Sequence, residues 1–254
     1  MRARLLLALS VLQVLVPLVP AVRDNSFTRA DRVGEPPIVP AGYTFAIWGL
    51  IEALSLAWAL WSVLRPTPLT ERIAGPLAVV FTGFTLWLLA VSFVEQNWLP
   101  LAIFLGMLGG LLAALRIALA AQPEIAGWTR LRQGLLWALL GTYTGWSSIA
   151  IWANLTTALA GSGAPVTGTA AVLGQLAVLA GATATAAAIV RWTGALLPYA
   201  ATVCWAFVGI AIGASGAGEP VLAGAAVVGL VVVAGLTAVL RVRGARRSAL
   251  PVGG

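Results

Sequence analysis

Eight apolar runs separated by short polar segments constrain the fold of this chain more than any other feature. Each run has about 19–25 residues, enough for a helix to cross the roughly 30 Å hydrocarbon core of a bilayer. The chain of 254 residues is 60% hydrophobic and only 9% charged, too few charges to cover a water-exposed surface, which excludes soluble globular, disordered, coiled-coil and disulfide-framework proteins. We therefore predict an all-α, polytopic membrane helix bundle with about eight transmembrane helices. The runs are residues 4–22, 43–64, 76–94, 98–119, 134–158, 168–190, 195–213 and 220–240.

The arginines predict how the bundle is oriented. All 15 cations are arginine, and they cluster in alternate gaps between the runs. Only Arg23, Arg29 and Arg32 lie on the side opposite the N-terminus. Because basic residues stay on the cytoplasmic side, the pattern predicts N-in, C-in. Because the arginines are spread over several short gaps, we expect no nucleic-acid partner, which needs a basic face on a folded domain. The twelve inner arginines are Arg2, Arg4, Arg65, Arg72, Arg116, Arg130, Arg132, Arg191, Arg241, Arg243, Arg246 and Arg247.

The first run has two interpretations. Residues 1–22 have a basic start, an apolar middle and small residues near the end, as a cleaved signal peptide does. The run is long for such a peptide, and Pro17 and Pro20 sit near its end. We expect a retained first helix, with the signal peptide as the alternative.

The scarcity of histidine and cysteine excludes several kinds of catalytic and metal site. The chain has no histidine and one cysteine, Cys204. Without histidine the chain cannot form His-ligated zinc or haem-iron sites or Ser-His or Cys-His catalytic pairs, and with one cysteine it cannot form an intramolecular disulfide. We assign no catalytic residue, no metal site and no covalent cofactor.

Glu52 is the one charged residue expected at mid-bilayer depth, because it lies ~13 Å along its helix from Tyr43. An intramembrane carboxyl marks a functional site or a proton path by default. The alternative is a protonated acid that hydrogen-bonds a neighbouring helix, and both interpretations stay open. No arginine lies at this depth, so we expect Glu52 to be neutral, with Asn154 and Gln175 as its polar neighbours.

Eleven tryptophans are the other distinctive feature. Four lie near the ends of runs, where an aromatic belt is expected. Five lie deeper, where an indole N–H needs a partner or a ligand. Bundle packing explains any one of them, whereas several facing one cavity would form a platform for a flat apolar ligand. The belt residues are Trp61, Trp98, Trp128 and Trp192, and the deeper ones are Trp48, Trp87, Trp146, Trp152 and Trp205.

Three segments resemble one family. Residues 36–48, Pro-Pro-Ile-Val-Pro-Ala-Gly-Tyr-Thr-Phe-Ala-Ile-Trp, resemble the opening of the second helix in the TspO/MBR family of tryptophan-rich sensory and translocator proteins. Residues 98–104 resemble its Trp-Ser-Pro segment. In the fifth run, Tyr143, Trp146, Ala150 and Asn154 match the final-helix pattern, and their spacing puts them on nearly one face.

The resemblance covers residues 1 to about 158, the usual length of the family. It implies a five-helix bundle over residues 1–158, three additional helices over 159–247 as in the longer eight-helix branch, and a short tail over 248–254. Two positions depart from the pattern: Thr142 replaces a proline, and Glu52 replaces a tyrosine, which makes the cavity more polar. The site residues implied are Tyr43, Trp48, Glu52, Trp98, Tyr143, Trp146, Ala150 and Asn154.

The resemblance also implies a ligand. The family binds planar or rigid apolar molecules, namely tetrapyrroles such as protoporphyrin and haem, or sterols, and some members promote light-dependent porphyrin breakdown. Without histidine, haem would be held by stacking, with Arg29 or Arg32 at its propionates. We expect a sensory or translocator protein in a bacterial plasma membrane, with the bilayer and the ligand as partners and a homodimer as an open alternative. The competing hypotheses are a proton-coupled secondary transporter that uses Glu52 and, third, an intramembrane enzyme.

Overall fold

Eight helices of 14 to 32 residues dominate the part of the chain that the structure, a computed structural model, describes: residues 1–18, 35–93 and 98–249, with side chains to Ala245. A 3-10 turn, Gly42–Ala46, leads into the second helix, and a short helical stretch, Gln122–Ala126, precedes the fifth. The all-α bundle is confirmed. The helices are α1 (Arg2–Leu15), α2 (Ile47–Leu64), α3 (Pro68–Phe93), α4 (Trp98–Ala120), α5 (Arg130–Gly161), α6 (Gly168–Trp192), α7 (Leu197–Gly216) and α8 (Pro220–Ala249).

Among the described residues, six helices are long and apolar enough to cross a membrane: α2 with its 3-10 turn, α3, α4, α6, α7 and α8. α1 and α5 are not among these six, because only 14 residues of α1 are helical and α5 carries many hydroxyl groups. Residues 141–149 of α5 are all buried, so these hydroxyls face other helices instead of lipid. A helix enclosed by its neighbours needs no apolar surface of its own. The eight helices follow the order of the eight predicted runs, and membrane crossing by α1 and α5 stays a prediction.

The first five helices form a closed ring. α1 packs on α2 and α3, α3 packs on α4, α4 packs on α5, and α5 returns to α2. The apolar core fills the inside of this ring, and its largest fully buried side chains include Trp58, Tyr143, Phe81 and Phe84. Gln13 of α1 donates to the Tyr143 hydroxyl of α5 at 2.9 Å, so α1 contributes a polar contact to the centre.

The last three helices pack behind α5, which therefore lies at the centre of the molecule. α7 runs along α5, α8 covers α7 and α6, and α6 also touches α5. α7 further contacts the 3-10 turn, where the Ala41 amide donates to the Gly209 carbonyl at 3.0 Å. The additional helices thus hold the segment that precedes α2.

Contacts at the two ends of the bundle agree with the predicted alternation of loops. At the arginine-rich end, the Ala3 amide donates to Glu71 at 3.3 Å, and Arg132 reaches the Arg65 carbonyl at 3.4 Å. At the other end, Trp98 donates to Ser162 at 2.9 Å, and the Ile38 amide donates to Gln175 at 3.3 Å. Loops predicted on one side of the membrane therefore meet at one end of the bundle.

Candidate ligand-binding site

Trp48, in the first turn of α2, is the centre of an aromatic cluster inside the ring of helices. Its side chain is 4% exposed. Five aromatic rings from α3, α4 and α5 surround it, with centroids from 4.5 Å (Phe84) to 6.3 Å (Phe104) away. Most of these pairs are tilted or edge-on, as aromatic rings prefer. The five rings belong to Phe84, Trp87, Phe104, Tyr143 and Trp146.

A cavity of about 120 Å³ lies on the outer side of this cluster. Its wall is mostly apolar and aromatic, and the cavity extends to residues 35–40, at the end of the bundle away from most arginines. An apolar cavity of about 150 Å³ holds one benzene ring, so this space fits about one ring of a planar ligand. The lining residues are Glu35, Val39, Pro40, Phe45, Trp48, Trp87, Val91, Phe104, Trp146, Ile149, Ala150, Ala153, Asn154 and Thr157.

One face of α5 supplies the largest share of the wall. The lining residues of α5 begin at Trp146 and recur three or four positions apart as far as Thr157. Side chains at these spacings lie one above another on a helix. Ala150 and Ala153 are small, which leaves room along the helix between the Trp146 ring and the Asn154 side chain.

Two polar groups belong to residues that line the cavity. The Asn154 side chain donates to the Ala150 carbonyl at 2.8 Å and accepts from the Trp87 indole at 3.4 Å. The indole N–H of Trp48 is buried and has no hydrogen-bond partner among the described residues. A buried donor without a partner costs about 1–3 kcal/mol, so a ligand atom that accepts from it gains affinity.

Half of the predicted site residues line the cavity. Trp48, Trp146, Ala150 and Asn154 do so. Tyr143 is fully buried beside Trp48, with ring centroids 5.8 Å apart, and belongs to the cluster below the cavity.

The other predicted residues lie elsewhere. Tyr43 is 47% exposed, and its ring stands edge-on to Trp205 of α7 at 5.5 Å. Trp98 is 49% exposed at the start of α4 and bonds to Ser162. Arg29 and Arg32 lie outside the described residues.

Glu52 lies one helical turn beyond Trp48, toward the arginine-rich end, and does not line the cavity. It is partly buried, lies within electrostatic range of Tyr143, and accepts no hydrogen bond from the described residues. Asn154 and Gln175 were expected as its polar neighbours, and this prediction is wrong. Asn154 bonds within the cavity wall, and Gln175 bonds the Ile38 amide, because both lie near the opposite end of the bundle.

Ten of the fourteen cavity residues were absent from the predicted site, among them Phe45, Trp87, Val91 and Phe104. Trp87 had a usable signal, since it is one of the deep tryptophans, and Val91 follows it by one helical turn. Phe45 and Phe104 lie within the family-like segments, but no spacing rule links the first, on a 3-10 turn, to the second, on α4.

Two of the deep tryptophans have packing roles. The Trp152 indole donates to Thr185 of α6 at 3.3 Å, and the Trp205 indole donates to the Thr44 carbonyl at 3.0 Å. Both join α6 or α7 to the five-helix ring, as the bundle-packing interpretation expects.

Comparison with known proteins gives one match. The model of the family described as TSPO-like protein matches residues 3–239, so the match extends through α6 and α7 and most of α8 as well as the first five helices. No curated protein and no solved structure matches the chain.

Proposed function

Because this chain belongs to the TSPO-like protein family, we propose that it is a membrane-embedded binding, sensory or translocator protein for a planar, largely apolar ligand. Tetrapyrroles such as protoporphyrin or haem are the first class to test, and sterol-like molecules are the second. The observation that carries the proposal is the cavity beside Trp48, which combines flat aromatic walls with a buried, unpartnered indole N–H.

The size of the cavity limits how a tetrapyrrole binds. A space of about 120 Å³ takes about one pyrrole ring, not the whole macrocycle. The ligand would enter edge-first beside residues 35–40, stack on Trp146, and displace those residues or remain partly outside. No histidine exists to ligate haem iron, so stacking and hydrogen bonds supply the affinity.

The double variant Trp48→Phe with Trp146→Phe tests the proposed site. We expect protoporphyrin affinity to fall about tenfold or more, since stacking area and an N–H donor are lost together. The measurement is the shift of the porphyrin absorption band on titration into purified protein, because tryptophan emission itself changes in the variant. Trp192→Phe, at an exposed tryptophan on the end of α6, is the matched control and should leave the affinity unchanged.

Equal affinity in the double variant and the wild type would contradict the proposed cavity. Parallel titrations with a sterol and with a single-ring aromatic compound identify the ligand class. Binding of only the single-ring compound would exclude tetrapyrroles while keeping the site.

A second candidate function is proton-coupled transport through Glu52. It is favoured by a partly buried carboxyl that accepts no hydrogen bond from the described residues and lies within electrostatic range of the fully buried Tyr143. We expect Glu52→Gln to abolish proton-linked ligand uptake in proteoliposomes while leaving equilibrium binding in detergent intact. Uptake that survives the substitution would exclude this function.

We also propose the plasma membrane of a bacterium as the location. Arginine is used in place of lysine throughout, and alanine and glycine are abundant, as GC-rich bacterial genomes encode. The multi-pass membrane character is independent of this assignment.

A further inference from the structure

A second, larger concavity opens at the arginine-rich end of the bundle, remote from the aromatic cavity. It is a groove of about 850 Å³ between the last turns of α2 and the first turns of α5. One side is formed by leucines that project outward: Leu60, Leu64 and Leu131 are 47%, 66% and 70% exposed. At the inner edge of a membrane, such side chains face the acyl chains of lipids.

The polar side of the groove is formed by Arg132. Arg132 as a whole residue is only 9% exposed, and the central carbon of its guanidinium lies over the Trp128 ring, 3.7 Å from the ring centroid. One of its terminal nitrogens makes two contacts at 3.4 Å, to the Arg65 carbonyl and the Thr67 hydroxyl, which is long for hydrogen bonds. Its Nε is buried and has no partner within the described part of the chain.

A second residue of the groove also carries a hydrogen-bond donor that has no partner in the described ranges. The indole N–H of Trp61, which also lines it, is buried without a partner among the described residues. Burial lowers the pKa of the Arg132 guanidinium, and the Glu124 carboxylate counteracts only part of that effect. Arg65 lines the same groove and adds a second positive charge. The site therefore holds under-bonded donors and excess positive charge beside an apolar surface.

We propose that this groove binds an anionic phospholipid of the inner leaflet. The phosphate accepts from Arg132 and the Trp61 indole, as guanidinium groups bind phosphate oxygens by paired hydrogen bonds. One acyl chain lies along Leu60, Leu64 and Leu131. A phosphate at this depth stays level with other headgroups, and basic pockets between membrane helices on this side suit acidic lipids. This inference does not depend on the function of the aromatic cavity.

The test uses the full chain, stripped of lipid in neutral detergent, with lipid binding followed by native mass spectrometry. Phosphatidylglycerol is the probe, and phosphatidylcholine of the same chain length is the neutral comparison. We expect Arg132→Gln to weaken phosphatidylglycerol binding about tenfold, the loss of one charge-assisted hydrogen bond, and Arg132→Lys to restore part of it. Arg191→Gln, at an exposed arginine at the same end of the bundle, is the matched control and should have no effect.

Ala57→Trp provides an independent variant that keeps every charge. Ala57 lines the groove and is exposed, so an indole there fills the acyl-chain path without disturbing the core. We expect the same tenfold loss. Equal binding of the two lipids, or full binding by Arg132→Gln and Ala57→Trp, would overturn the proposal. Displacement of the lipid by inorganic phosphate, with Ala57→Trp ineffective, would assign the groove to a soluble anion and overturn it as well.

Discussion

Gly145→Ala is expected to lower the stability of the protein by about 3 kcal/mol, the upper part of the range for overpacked cores. A Cβ at this position would lie 2.8 Å from the Tyr199 carbonyl oxygen and 2.9 Å from the Thr202 Cβ of α7. The carbonyl is a backbone atom and cannot rotate aside, so α7 must move away from α5. Small residues permit such close helix contact inside membranes, where packing supplies much of the association energy.

The measurement is the thermal unfolding midpoint in detergent, compared with Gly106→Ala on α4. No atom lies within 4 Å of a Cβ at Gly106, so alanine there should be neutral or slightly stabilising through helix propensity. Because α5 carries one wall of the cavity, protoporphyrin binding should weaken in Gly145→Ala along with the midpoint. Equal midpoints in the two variants would show that α5 and α7 do not approach as closely as described.

Trp48→Ala is expected to cost about 3–5 kcal/mol, as removal of a large buried aromatic side chain does in protein cores. The indole touches rings on three other helices, and its loss opens a void that those rings cannot all fill. Ligand affinity should fall below that of the Trp48→Phe variant, because the wall of the cavity disappears with the donor.

The void also makes this prediction specific. Indole added to Trp48→Ala should occupy the vacated space and raise the unfolding midpoint, since apolar cavities in protein cores bind ligands of matching shape. Trp192→Ala, with a side chain 46% exposed, is the control and should show neither the loss nor the rescue. A midpoint in Trp48→Ala that indole leaves unchanged would contradict the described burial of Trp48.

Hydropathy located the helices because a membrane helix satisfies its own backbone hydrogen bonds and needs only apolar length. Hydropathy is the weakest signal for α5, because its Thr, Tyr and Ser side chains are polar. There the family-like spacing of Trp146, Ala150 and Asn154 indicated a helix face that lines the cavity in the structure, since residues four apart share a face of any α-helix.

The sequence was less informative where the backbone leaves the α-helix. The resemblance of residues 36–48 to the family implied Tyr43 as a site residue. Residues 42–46 instead form a 3-10 turn, which changes the rotation per residue and directs Tyr43 toward Trp205 on α7. Glu52 is one turn past Trp48 on a regular helix, so it points to a similar side but lies beyond the aromatic cluster.

The sequence by itself indicated the order of the eight long helices in the described part of the chain, the end of the bundle that carries most arginines, and the face of α5 that holds Trp146, Ala150 and Asn154. These are local properties, set by apolar length, by charge in short loops and by helical periodicity. Only the tertiary structure decided which tryptophans meet, which indole N–H groups lack a partner, and how α7 holds the turn before α2. These depend on contacts between residues far apart in the chain, such as Gln13 with Tyr143 or Ala41 with Gly209, and no local pattern encodes which distant residues meet.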